Sequence, residues 1–142
     1  MIERKDTFAH RWFEEVWNQG SAAAIDELTH PDLIAHGLTD AAGNEITGVP
    51  AFKTFHDNLR SAFPDLDVTV EDTVMEDDML VARCRVRATH SGNGLGIEAT
   101  GNPVDFTGMS MMRIVDGRIV ENWDSYDFLT MMQQVGLVKL GA

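Results

Sequence analysis

Apolar residues recur at helical spacing from about Glu3 to Asn18, where Phe8, Trp12, Phe13, Val16 and Trp17 predict one long amphipathic helix with an aromatic stripe, closed by Gly20. Ser21 is placed to cap a second, shorter helix with Ile25 and Leu28 inward, and Pro31 falls just past its end. Leu33-Ile34-Ala35-His36 is a short apolar segment, and the stretch from Thr39 to Gly48, rich in Asp, Gly and Asn, reads as a loop. Pro50 suits the first turn of a third helix, whose Phe52, Phe55, Leu59 and Phe63 are spaced for one buried face and which Pro64 helps to end.

Beyond Pro64 the period changes from helical to alternating. Leu66, Val68, Val70 and Val74 form one face of a strand interrupted by Asp72, and Glu76-Asp77-Asp78 turns the chain into the next. There Leu80, Ala82, Cys84, Val86, Ala88 and His90 share the buried face, and Arg83, Arg85 and Arg87 the other. A Gly-rich stretch, Ser91 to Gly96, leads to Ile97-Glu98-Ala99-Thr100. Gly101-Asn102 is a hairpin signal before a strand over Val104 to Val115, with Phe106, Gly108, Ser110, Met112 and Ile114 on one face. Asp116-Gly117 fits a two-residue type I′ turn, because both its central positions need φ > 0. On the returning strand Val120, Asn122 and Asp124 share one face and Ile119, Glu121 and Trp123 the other; alternation alone leaves open which is inside. Trp123 is thus either a core residue of the opposite face or a wall beside the carboxylate. A last helix is expected from about Tyr126 to Val135, with Leu129, Met132 and Val135 inward and Gly136 as its stop. Helices followed by antiparallel strands make an α+β domain, in which a twisted sheet can curl around the long first helix and leave an apolar pocket.

The 142 residues suit one domain over 1–142. A formal net charge of −12 disfavours nucleic acid or an anionic membrane surface as partner and points to a neutral or weakly charged small molecule. Cys84 is alone, and neither it nor the five histidines fall at metal-binding spacings, so no disulfide, metal or cofactor is expected. The first residues lack the apolar run of a signal peptide, no window is long enough to span a bilayer, and a cytoplasmic location is the expectation.

Asp124 is the foremost candidate for chemistry. If its face is the inner one, burial raises its pKa and makes it a usable general base; otherwise it caps the last helix or meets solvent. Asp127, just ahead of Phe128-Leu129-Thr130, fits a helix-capping role. His90, at the end of the buried face of its strand, could orient a carbonyl or share a proton with Asp124, or be a hydrogen-bonded rim residue. His36 is a candidate for the same pocket, whereas His10, His30 and His56 read as surface or helix-end residues. Trp12, Phe13, Trp17, Met109, Met111, Met112, Met131 and Met132 could wall a cavity for a flat ligand or simply form core. Cys84 reads as inert. The Gly92-x-Gly94-x-Gly96 run lacks the strand-then-helix context of a phosphate loop.

The order of two helices, His-Pro-Asp (30–32), Phe-Pro-Asp-Leu (63–66), Thr-His-Ser-Gly (89–92), Met-Arg-Ile-Val-Asp-Gly-Arg-Ile (112–119), Trp-Asp-x-x-Asp-Phe (123–128) and Gln-Gln-Val-Gly (133–136) resembles the SnoaL-like polyketide cyclases of the NTF2-like superfamily. The resemblance covers almost the whole chain, and its C-terminal segment is the most specific part. It implies a cone-shaped α+β barrel, usually a homodimer, holding a hydrophobic ligand inside the cone. It further implies an Asp at the end of the last strand that removes an acidic C–H proton, so that the enolate closes a ring by intramolecular aldol condensation without metal or cofactor. The matching residue is Asp124, with Asp127 matching the carboxylate that follows and His90 matching the family's Thr/Arg-His-x-Gly segment. The substrate-lining candidates are Trp12, Phe13, His36, Ser110, Met112, Asn122 and Trp123. One departure stands out: where active cyclases place a His or another polar residue on the strand before the Asp-Gly turn, this chain has Ser110, and Gly108 two residues earlier is bare.

The leading expectation is a cofactor-free cyclase, isomerase or lyase acting on a small hydrophobic carbonyl compound, with Asp124 as base and His90 assisting. An epoxide hydrolase on the same fold would need an Arg inside the cone, yet Arg83, Arg85, Arg87 and Arg113 fall opposite the apolar faces. A non-catalytic NTF2-like binding or scaffold protein is the remaining alternative.

Overall fold

The computed structural model describes residues 5–139 and residue 141; the expected helix start at Glu3 lies outside the described residues. Helix α1 (Lys5–Arg11) runs on as a wider π-helical stretch, Trp12–Asn18. At its end the Gln19 N–H reaches back five residues to the Glu14 carbonyl, at 2.9 Å. Trp12, Phe13, Val16 and Trp17 are all buried there. Helix α2 (Ala22–Leu28) is capped by Ser21, whose Oγ accepts from the Ala24 N–H at 3.1 Å.

Strand β1 (Thr29–Thr39) is longer than its four-residue apolar segment suggests. Its pairing with the last strand slips between Thr29 and Ile34, which leaves Pro31 in an irregular stretch where its missing N–H breaks no ladder bond. The region expected to be all loop contains a short strand, β2 (Glu45–Thr47), anchored by the buried Ile46. Helix α3 (Val49–Ala62) turns Phe52 and, at its end, Phe63 into the core, with Phe55 and Leu59 half-buried. His56 is not a surface residue. It follows Phe52 by one helical turn, is buried on the same face, and its Nε2 donates to the Val16 carbonyl at 2.6 Å.

Strands β3 (Asp67–Glu76), β4 (Met79–Thr89), β5 (Pro103–Val115) and β6 (Arg118–Tyr126) complete a curved six-stranded sheet of order β2-β1-β6-β5-β4-β3. β1 and β6 run parallel and the other neighbours antiparallel. Leu80, Ala82, Cys84, Val86 and Ala88 are buried as the alternation of β4 requires. The architecture is the expected α+β one.

Bulges shift several faces. In β3 the pairing passes from Val70↔Cys84 to Asp72↔Arg83, so Glu71 is an extra residue that reverses the alternation and leaves Val74 68% exposed. In β6 Val120 is the extra residue between Ile119 and Glu121, which moves Ile119 into the core. Residues 97–100 do not form a strand, and Gly101-Asn102 is not a tight hairpin turn. Instead the His90 N–H donates to the Asn102 carbonyl and the Gly101 N–H to the His90 carbonyl, which closes a long loop. Helix α4 (Phe128–Gln134) starts later than expected because β6 continues to Tyr126. Asp127 caps it, accepting from the Thr130 N–H at 3.0 Å, and the resulting phase buries Met131 and Val135 while Leu129 and Met132 are exposed. Among the described residues no helix is long and apolar enough to cross a membrane.

Candidate active site

The β5–β6 hairpin positions the candidate base. Asp116 (φ 52°) and Gly117 (φ 76°) make the tight turn, and the register that follows sets Ser110 opposite Asp124 and Gly108 opposite Tyr126. Past the Val120 bulge, Asn122, Asp124 and Tyr126 alternate onto the inner face and line a pocket under the sheet. That decides the question left open by alternation: the Asp124 face is inside.

The pocket walls are aromatic and aliphatic, contributed by Trp12, Phe13 and Trp17 of the first helix, Phe52, Phe55 and Leu59 of α3, and Leu38, Val86, Phe106 and Phe128 from elsewhere. Ser110, Asn122, Asp124 and Tyr126 form its polar group. The cavity volume is about 50 Å³, room for a few waters.

Ser110 Oγ donates to Asp124 Oδ1 at 2.7 Å, and Asn122 Nδ2 donates to Asp124 Oδ2 at 2.5 Å. An ionised carboxylate only accepts, so the Asn122 amide must present nitrogen to it, which leaves the buried Asn122 Oδ1 without a partner among the described residues. Burial pushes the Asp124 pKa up to about 6, against the two hydrogen bonds, which favour the ionised form. Asp127 behaves oppositely: its bonds to the Thr130 hydroxyl and N–H hold it below the usual range, as a cap's should be. On the other side of β6, Gly37 of β1 (φ 85°) presses against the Asp124 backbone; a Cβ there would lie 1.8 Å from the Asp124 carbonyl oxygen. Only glycine permits that approach.

Trp12, Phe13, Ser110 and Asn122 thus gather with Asp124, and the other sequence candidates do not. Met112 is buried core, paired with Leu80 and Asn122 and absent from the pocket wall. His36 and Trp123 lie on the outer face of the sheet, stacked with ring centroids 5.4 Å apart, because Trp123 alternates with Asp124. His36 Nε2 meets Glu121 at 2.6 Å and its Nδ1 meets Glu45; these partners, Glu121 foremost, raise its pKa.

His90 is not brought to Asp124. Ala82 is the β4 residue in register with Ser110, and His90 lies eight residues further along, about 26 Å at a strand's rise of about 3.3 Å per residue. It is fully buried against Phe63, its Nδ1 accepting from the Thr100 N–H at 3.3 Å, and it anchors the loop after β4. Tyr126 is the site residue that sequence reasoning missed by assigning it to the last helix; its position two residues after Asp124 on one strand was the available signal. Among the described residues no three His, Cys, Asp or Glu side chains are grouped to hold a metal ion.

The SnoaL-like polyketide cyclase family model matches residues 7–135. The chain is 27% identical over 124 residues to the aklanonic acid methyl ester cyclase DnrD of Streptomyces peucetius, spanning 86% of this chain and 84% of that one. Among solved structures it is similar to IdmH of Streptomyces antibioticus, a candidate polyketide cyclase, at 34% identity and a TM-score of 0.77, covering 92% of this chain and 96% of the other. It is also similar to AclR of Streptomyces galilaeus, a candidate hydroxylase, at 26% identity and a TM-score of 0.75, covering 90% and 78%. One fold therefore carries more than one assigned chemistry, and the reaction depends on the side chains that line the pocket. The match over nearly the whole length, together with these relatives, places the identity of the fold beyond the resemblance of scattered motifs: the chain belongs to the SnoaL-like polyketide cyclase family, with an NTF2-like fold.

Proposed function

We propose that the protein is a cofactor-free aldol-type cyclase for a small hydrophobic carbonyl compound, with Asp124 as its general base. The observation that carries this reading is a carboxylate set into an apolar pocket, with a pKa raised to about 6. Such a group is ionised at neutral pH yet basic enough to take a proton from carbon flanked by two carbonyls. Ser110 and Asn122 fix its two oxygens, and the walls favour an uncharged polycyclic or polyketide skeleton. The unpartnered Asn122 Oδ1 suits a hydroxyl of the substrate. The same base would serve an isomerase or lyase acting on a related carbonyl compound.

DnrD, named for the cyclisation of aklanonic acid methyl ester, makes that ester the first compound to try. A smaller probe is a methyl β-ketoester bearing a remote methyl ketone, placed so that aldol closure gives a six-membered ring. Wild-type protein is expected to close one or both rings. Asp124→Asn should lower turnover by about 10³-fold, with ligand binding, read by fluorescence of Trp12 and Trp17, retained. Full activity in that variant, or binding without turnover by the wild type, would sink the proposal, the second result favouring an inert binding protein. Epoxide hydrolysis has less support, since among the described residues no arginine lines the pocket; Arg83, Arg85 and Arg113 pair with Asp72, Asp105 and Asp78 instead.

A further inference from the structure

A base alone does not finish an aldol closure. When the enolate carbon attacks the second carbonyl, the C–C bond forms as the carbonyl π electrons move to oxygen, and that oxygen needs a proton. We propose that Tyr126 supplies it, acting as the terminal proton donor of a chain that runs through the Ser110 hydroxyl to Asp124. This rests on the reading of Asp124 as base.

The hydrogen-bond polarity leads to it. Ser110 Oγ uses its only proton toward Asp124 Oδ1, at 2.7 Å. In its contact with the Tyr126 hydroxyl, at 2.8 Å, Ser110 can then only accept, so Tyr126 is the donor. With Asp124 ionised, the protons of Tyr126 and Ser110 therefore both point along the chain toward it; once Asp124 has taken up a proton the chain reverses, with Asp124 donating to Ser110, Ser110 to Tyr126, and Tyr126 into the pocket that all three line. Burial raises the Tyr126 pKa well above its ordinary value, so the phenol keeps its proton across the range in which Asp124 titrates.

Both departures on β5, Gly108 and Ser110, fit the same assignment. Gly108 pairs with Tyr126, and a Cβ at 108 would lie 2.3 Å from Tyr126 Cδ2. The ring thus lies across a site that any side chain would fill, and this brings its hydroxyl to Ser110. Gly108 makes the space and Ser110 makes the link.

The protons balance. The substrate C–H bond breaks, its proton goes to the Asp124 carboxylate, and its electron pair remains as the enolate. After ring closure Tyr126 gives its proton to the new alkoxide oxygen. The Ser110 proton passes to the Tyr126 oxygen, and the Asp124 proton passes to Ser110. The carboxylate is restored, and the proton lost from carbon is matched by the one gained at oxygen.

The test separates the two halves of the reaction with the β-ketoester probe. Deuterium uptake at its acidic carbon, followed by NMR in deuterated water, reads proton removal; appearance of the cyclic alcohol reads closure. Tyr126→Phe keeps the ring over Gly108 and should exchange within about threefold of wild type while closing at least about 100-fold more slowly. Ser110→Ala, which removes the link and also a hydrogen bond to Asp124, should slow closure at least as much as Tyr126→Phe does. Wild-type closure by either variant, or an equal loss of exchange and closure in Tyr126→Phe, overturns the relay. Asp124→Asn is the control for the underlying reading: wild-type exchange in that variant removes Asp124 as base, whereas lost exchange there beside normal closure in Tyr126→Phe removes only the relay.

Discussion

Replacing Asp124 by asparagine should make the folded protein more stable at neutral pH, the opposite of what loss of a buried hydrogen-bonded residue usually does. Burial raises the Asp124 pKa to about 6, roughly two units above an aspartate in the unfolded chain, which corresponds to about 3 kcal/mol. The sign follows from linkage. A folded pKa above the unfolded one means that the native state binds the proton more tightly, so the group contributes stability that is complete below about pH 4 and lost as pH rises through about 6. Above that, the wild type carries an ionised carboxylate in an apolar pocket. The amide of Asp124→Asn has no charge to desolvate; its oxygen can accept from Ser110, and its nitrogen can donate to the Asn122 oxygen after that amide turns over, so both hydrogen bonds are kept. Urea unfolding of both proteins from pH 5 to pH 8 should show a gain of about 3 kcal/mol at pH 8, falling to about half at pH 5. A variant equal to or less stable than wild type at pH 8 would refute the claim that Asp124 is held ionised at a cost in free energy.

Ring closure by the wild type should fall about tenfold per pH unit below about pH 6, where Asp124 takes up its proton; a profile flat to pH 4.5 contradicts this. Gly108→Ala drives a methyl group into the Tyr126 ring, so it should cost about 1–3 kcal/mol in urea unfolding and slow closure as well. His90→Ala should leave kcat unchanged within about twofold yet destabilise by about 1–3 kcal/mol, because His90 anchors a loop far from Asp124; a large fall in kcat at unchanged stability would restore it to the site.

The sequence was most legible where the ladder is unbroken. The strand from Leu80 to Ala88 alternates without a bulge, and its buried face matched the pattern residue for residue. Where one extra residue enters, as at Glu71 and Val120, a period of two reverses, and Val74 and Ile119 ended on the faces opposite to those expected. The last helix was misphased for a similar reason: the cap at Asp127, rather than the apolar pattern, decides that Met131 faces in and Met132 out. Asp124 was recognisable from its place before the helix and from the family motif. Tyr126 was not, because its partner is a glycine, which signals space and not what fills it. His90 was placed on the correct face, but alternation gives no register between strands, and it is the register that sets Ala82 rather than His90 beside Ser110.

Deuterium exchange at the acidic carbon of the β-ketoester probe, measured against pH for the wild type and Asp124→Asn, tests the role of Asp124 most directly. Protein-dependent exchange is expected to rise with pH to a plateau above about 6 in the wild type and to vanish in the variant; equal exchange in the two proteins would contradict it.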